Sequence, residues 1–190
     1  HLRADPSLLE QDCSRFALRR SIEALWSEVG YREVLELASG DPFEWDCLSL
    51  PRVLQYLCRV SEHFRGAVRD TWERHPCTAD EPWHLIVYGD ECVPGNVLRL
   101  DNRRKFFSVY VSVREFGPTL LKREHMWLPL AAIRSSTAKD IGGGISHCMR
   151  QLFRRWFLVD KVGSDGVLLD LAIPGSQHAR LYFRLGNVLA

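Results

Sequence analysis

The residues best suited to chemistry fall into three groups. They are the acid pair Asp90-Glu91, several basic clusters, and the run Gly142-Gly143-Gly144. The acids follow the apolar run Leu85-Ile86-Val87-Tyr88 across Gly89, a position that an ordinary strand-to-turn exit also explains. Positive charge gathers at Arg103, Arg104 and Lys105, at Arg150, Arg154 and Arg155, and at Arg180 and Arg184. Such clusters can meet a phosphate backbone or form a solvated face. The net charge of +1 argues against a protein that coats nucleic acid. The triglycine could offer backbone amides to a phosphate. It lacks the lysine and Ser/Thr of a P-loop, so a plain connection is the first reading.

Other chemistries find little support. The seven histidines form neither His-x-x-x-His nor His-Glu-x-x-His. No serine sits in Gly-x-Ser-x-Gly. The six cysteines, at 13, 47, 58, 77, 92 and 148, include no Cys-x-x-Cys pair, so scattered buried thiols are expected rather than a zinc site. A chain of this size and apolarity does not need disulfides, and an intracellular, reducing compartment is expected. No apolar run approaches the ~18 to 20 residues of a membrane helix.

The elements that must position these groups change character along the chain. With 190 residues, 46% of them hydrophobic, one well-buried core is expected. Asp5-Pro6 reads as a helix opening. Leu18, Ile22, Leu25, Trp26 and Val29 form a helical stripe that ends at Gly30. Residues 32–38 read as a short helical piece and 41–48 as a loop carrying aromatics. Ser49 and Pro51 open a long helix with the stripe Val53, Leu57, Val60, Phe64, Val68 and Trp72, with Gly66 as a bend and Pro76 as a stop. From Pro82 the pattern turns to strands.

Leu85-Ile86-Val87-Tyr88 reads as a central strand buried on both faces. Phe107, Val109, Val111 and Val113 alternate with Ser108, Tyr110, Ser112 and Arg114 as a half-buried strand. Residues 126–133 read as a third strand, placed at an edge because Pro129 removes a ladder donor. After the triglycine comes an amphipathic helix. Ile145, Cys148, Met149, Leu152, Phe153, Trp156 and Phe157 face the core, and Ser146, His147, Arg150, Gln151, Arg154 and Arg155 face away. Residues 167–173 and 179–189 read as strands joined in a hairpin at Pro174-Gly175-Ser176. The expected fold is therefore α/β (α+β), with a helical segment over 1–80 and a strand-rich α/β domain over 81–190. That domain reads as cut short at its C-terminus.

The order strand, strand, strand, helix, strand resembles the front half of the ribonuclease H-like fold of Asp-Asp-Glu nucleases and transposases. The string Tyr88-Gly89-Asp90-Glu91-Cys92-Val93-Pro94-Gly95-Asn96, with Asp101-Asn102-Arg103-Arg104-Lys105-Phe106 and Arg114-Glu115-Phe116-Gly117, adds a closer likeness. It is similar to transposon-derived open reading frames of unicellular algae, as is the triglycine before a helix. The resemblance spans roughly residues 80 to 190.

It implies Asp90 as the first metal-holding aspartate, with Glu91 a weaker candidate, and magnesium or manganese as cofactor if the nuclease reading holds. Two-metal phosphoryl transfer needs several converging carboxylates. The next acid would follow the last strand, and Asp170, in mid-strand, is a poor substitute. The expectation is a transposase-derived domain, catalytically incomplete as this chain, with nucleic-acid binding through Arg103, Arg104, Lys105, Arg150, Arg154 and Arg155. The alternative is a non-catalytic interaction or structural subunit with a protein partner in a larger assembly.

Overall fold

A computed structural model describes residues 15–93, 105–173 and 176–189. Six strands form one mixed sheet: β1 (Gly30–Glu36), β2 (Pro42–Leu48), β3 (Trp83–Cys92), β4 (Phe106–Val113), β5 (Leu128–Arg134) and β8 (Phe183–Leu189). Their order is β1-β2-β5-β4-β3-β8. Every pairing is antiparallel except β3 with β8, which is parallel. A separate antiparallel ribbon pairs β6 (Val167–Ile173) with β7 (Ser176–Leu181). The helices are α1 (Arg15–Val29), α2 (Leu50–Val60), α3 (Glu62–Arg74), α4 (Gly117–Leu121), α5 (Ser135–Asp140) and α6 (Gly144–Arg154). The α/β fold class is as expected. No helix among the described residues is long and apolar enough to cross a membrane.

The run Leu85-Ile86-Val87-Tyr88 lies between β4 and β8, inside the sheet. Leu85 and Val87 are fully buried on one face, but Ile86 is half-buried and Tyr88 is exposed on the other. Burial on both faces was therefore half right. On β4, Val109, Val111 and Val113 are buried with them. Ser112 is also buried, which is tolerable because its hydroxyl donates to the Met126 carbonyl at 2.9 Å.

Five expectations are corrected. Residues 32–38 are not helical and 41–48 are not a loop: β1 and β2 form a hairpin in register from Gly30↔Leu48 to Glu36↔Pro42. This hairpin makes β5 an internal strand, since Cys47 pairs with Ala131 and the Trp45 indole donates to the Ala132 carbonyl at 2.9 Å. Pro129 is accommodated beside a register shift, where Val109 pairs with Ala131 and Tyr110 with Pro129. The long helix breaks at Ser61, not Gly66. Ser61 is extended (φ −124°, ψ 103°) and its hydroxyl accepts from the Phe64 amide, capping α3. Finally, residues 179–189 are two strands. β7 completes the ribbon with β6, and β8 crosses into the main sheet after Tyr182, whose amide donates to Cys77 Sγ at 3.1 Å.

The stripe expected on α1 is also only partly realised. Val29 is buried, but Ile22 and Leu25 are exposed. The proposed helix opening at Asp5-Pro6 and the Pro94-Gly95-Asn96 end of the string that begins at Tyr88 lie outside the described residues. α6 behaves as its periodicity requires. Cys148 and Leu152 are buried along it, and Trp156 is fully buried in a π-helical turn, Arg155–Val159, that extends it.

Candidate functional site

Asp90 is the eighth residue of β3, paired with Ser108 rather than free at a strand end. Its side chain shares a face with Tyr88, and its Oδ2 accepts from the Tyr88 hydroxyl at 3.0 Å. Glu91 points to the opposite face, as alternation along a strand demands. Its Oε1 accepts from the Ser135 hydroxyl at 2.6 Å and its Oε2 from Lys105 Nζ at 3.2 Å. The Ser135 hydroxyl first, and then the Lys105 ammonium, holds the Glu91 carboxyl below the usual carboxylate range. Glu91 is thus a tie between β3 and the start of α5.

Among the described residues, neither Glu91 nor Asp170 joins Asp90 in a metal-holding cluster. Asp170 sits on the separate ribbon, where its Oδ1 accepts from the Ala172 amide at 3.0 Å beside a register shift and a positive φ of 51° at Ala172. No group of three or more His, Cys, Asp or Glu is placed to hold a metal among the described residues. With both Glu91 oxygens engaged on the other face, the donors in view do not fit a two-metal centre.

The basic residues separate into different environments. Arg103 and Arg104 lie outside the described residues. Lys105 is paired with Glu91. Arg150 and Arg154 are exposed on the outer side of α6, Arg150 with its Nη2 2.9 Å from His147 Nδ1. Arg155 turns inward. Its Nε donates to Asp160 Oδ1 at 2.9 Å and its guanidinium lies 4.6 Å from the centre of the Tyr31 ring.

Gly142 and Gly143 form the turn between α5 and α6, and Gly144 opens α6. Gly143 and Gly144 adopt positive φ (84° and 56°), and the Gly144 amide already donates to the Ile141 carbonyl at 2.8 Å. That amide is not free for a phosphate.

Two features were not read from the sequence. The first is a groove of 420 Å³ lined by Gly89, Phe107, Ile145, Met149, Arg150, Phe153 and the exposed Val188 and Leu189 of β8. The second is a polar cluster at the other end of β3. There Glu115 Oε1 lies 2.7 Å from His84 Nδ1, and Glu115 Oε2 accepts from the His84 amide at 2.9 Å. Arg114 and Arg184 close on the same imidazole. Its members are 31 and 100 positions from His84 or adjacent to those partners, so no local motif announces it.

Comparison with known proteins finds no matching family model, curated protein or solved structure.

Proposed function

We propose that this chain is a ribonuclease H-like domain of transposase origin that binds nucleic acid and is catalytically incomplete in the form described. The observation that carries the reading is the strand order β5-β4-β3-β8. Three consecutive strands run antiparallel, and β8, reached through α5, α6 and then the β6–β7 ribbon, returns parallel to the first of them. That arrangement is in keeping with the front half of the fold that the motif around Asp90 suggested. Fold does not fix function, so the site must be weighed separately. Asp90 supplies one carboxylate where several are needed. The exposed Arg150 and Arg154 supply charge for backbone contacts, which do not require a finished active site.

A second reading has its own support in the open groove beside β8. An apolar channel with Val188 and Leu189 at 49% exposure each suits a protein subunit in an assembly better than a freely soluble nuclease.

The test uses labelled single- and double-stranded DNA and RNA, with magnesium, with manganese or with chelator. The expected outcome is salt-sensitive binding without cleavage, weakened when Arg150 and Arg154 are both replaced by glutamine. Metal-dependent cleavage abolished by Asp90→Ala would overturn the incompleteness and restore a nuclease. No binding at low salt would leave only the subunit reading.

A further inference from the structure

The cluster around His84 contains a conflict of hydrogen-bonding roles. A neutral imidazole has one N–H and one lone pair, so its two nitrogens cannot both accept. Glu115 Oε1 stands 2.7 Å from Nδ1, Arg184 Nε stands 2.5 Å from Nε2, and Arg114 Nη2 stands 2.7 Å from Nδ1. With the proton on Nδ1, the imidazole donates to Glu115 and accepts from Arg184 at Nε2, and Arg114, 2.7 Å from Nδ1 but 3.2 Å from that same acceptor, must share it. With the proton on Nε2, Arg114 is satisfied, but Glu115 faces a lone pair and Arg184 faces a proton. A doubly protonated ring satisfies Glu115 and repels both arginines. The Nδ1–H form wins, and it leaves both guanidiniums sharing the single lone pair on Nε2, with Arg114 pressed against Nδ1–H.

Charge points the same way. Two guanidiniums face one carboxylate, which leaves the cluster one positive charge in excess. Glu115 takes its two short hydrogen bonds from His84 and meets Arg114 only as a longer ion pair. Oε1 is engaged by the imidazole, Oε2 by the His84 amide, and Arg114 Nη2 is 3.5 Å from Oε1. The floor of the cluster is sheltered, with the His84 and Glu115 side chains each 12% exposed, while the Arg114 side chain is 55% exposed. His84 and Arg184 are direct partners across the parallel β3–β8 pair, and Arg114 and Glu115 belong to the 3-10 turn that follows β4. Three separate elements therefore hold the two forks toward one spot.

From these relations we infer that Arg114 and Arg184, seated on the His84–Glu115 pair, form a binding site for a phosphate oxyanion. Its several acceptor oxygens would take the unspent N–H groups of both forks and draw Arg114 away from Nδ1–H. The site lies six residues from Asp90 along β3, about 20 Å at strand rise, and is distinct from the arginines of α6. It does not depend on the nucleic-acid reading. A free phosphate, a small phosphoester and a nucleic-acid backbone carry the same chemistry.

The experiment titrates the full chain with inorganic phosphate at low ionic strength, following the His84 and arginine side-chain nitrogens by NMR. The variants are Arg114→Gln and Arg184→Gln, with chemical unfolding used to check that each remains folded. Saturable shifts at His84 are expected, with affinity falling about tenfold or more in either variant, the scale of one lost charge-assisted hydrogen bond. Arg114→Lys should recover part of that loss, since it keeps the charge without the fork. Shifts that never saturate, or equal affinity in folded variants, would overturn the site. A parallel titration with a short oligonucleotide separates the sources. Loss of both ligands in the variants assigns the site to nucleic acid. Loss of inorganic phosphate alone assigns it to small phosphates and leaves the nucleic-acid proposal to stand or fall on α6.

Discussion

The Phe107 ring lies across Gly89 so closely that a β-carbon added to the glycine would sit 2.4 Å from its Cζ. The two residues face each other's neighbours on adjacent antiparallel strands, with Gly89 paired to Val109 and Glu91 to Phe107. The glycine beside Asp90 is therefore needed for space, not for backbone freedom. Gly89→Ala should destabilise the protein by about 1 to 3 kcal/mol through overpacking. In a Phe107→Leu background the same change should cost about 1 kcal/mol less, because the two sites are in direct contact. Urea unfolding of the four proteins measures the coupling. Strict additivity would show that the ring is not what excludes a side chain at position 89.

The Glu91 tie predicts a pH dependence with a definite sign. Its carboxyl is held below its ordinary value in the fold, so the unfolded chain takes up the proton first as pH falls. The contribution is complete above the unfolded value, about 4.3, and is lost as pH falls through the lower folded value. Glu91→Gln should unfold at lower urea than the parent at pH 7, and the two curves should converge in acid. Ser135→Ala should narrow the gap at pH 7, since it removes the 2.6 Å hydrogen bond. A gap that persists unchanged to pH 2 would exclude the tie.

Trp156 was legible from periodicity alone, and its place in the core has a measurable consequence. The side chain is fully buried, and its ring meets Phe153 edge-on at 5.6 Å. Trp156→Ala should cost about 3 to 5 kcal/mol. Trp156→Phe should cost clearly less. Among the described residues the buried indole N–H has no partner, so its loss offsets part of the lost volume. Equal unfolding midpoints for the two variants would contradict this packing.

Elements whose evidence is local were readable, and those set by distant contacts were not. β4 and α6 carry their own period and were expected where they occur, while β3 was expected only over its apolar run 85–88 and extends from Trp83 to Cys92. Residues 32–38 contain Glu33, Leu35, Glu36, Leu37 and Ala38, all good helix formers, yet residues 32–36 pair within β1 because β2 lies alongside, and Leu37 bridges to Ile141. A signal was present in β2, where buried Trp45 and Cys47 alternate with exposed Glu44 and Asp46. The aromatics drew attention and the alternation did not. The break at Tyr182 could not be read at all, since the contact that fixes it reaches back 105 residues to Cys77. The candidate site divides in the same way. Asp90 was placed by motif, while the His84 cluster exists only through strand register.

Arg155 gives the sharpest test of what the helix face does. Grouped by sequence with Arg150 and Arg154 as a cation for nucleic acid, it is instead bonded to Asp160 and stacked on Tyr31. Burial pushes the Asp160 carboxyl up from its usual range, the Arg155 guanidinium pulls it back, and Oδ2 has no partner among the described residues. Arg155→Ala would leave that carboxylate without its counter-charge and uncover the Tyr31 ring. The expected cost is about 1 to 3 kcal/mol at pH 7, against no more than about 0.5 kcal/mol for the exposed Arg154→Ala. The deficit should shrink as pH falls, because a protonated Asp160 no longer needs the cation. For the same reason Arg155→Ala with Asp160→Asn should be more stable at pH 7 than Arg155→Ala alone. Urea unfolding at pH 7 and pH 4 decides the matter. Indistinguishable stabilities of the Arg154 and Arg155 variants at pH 7 would return Arg155 to the solvent-facing set and reopen it as a phosphate contact.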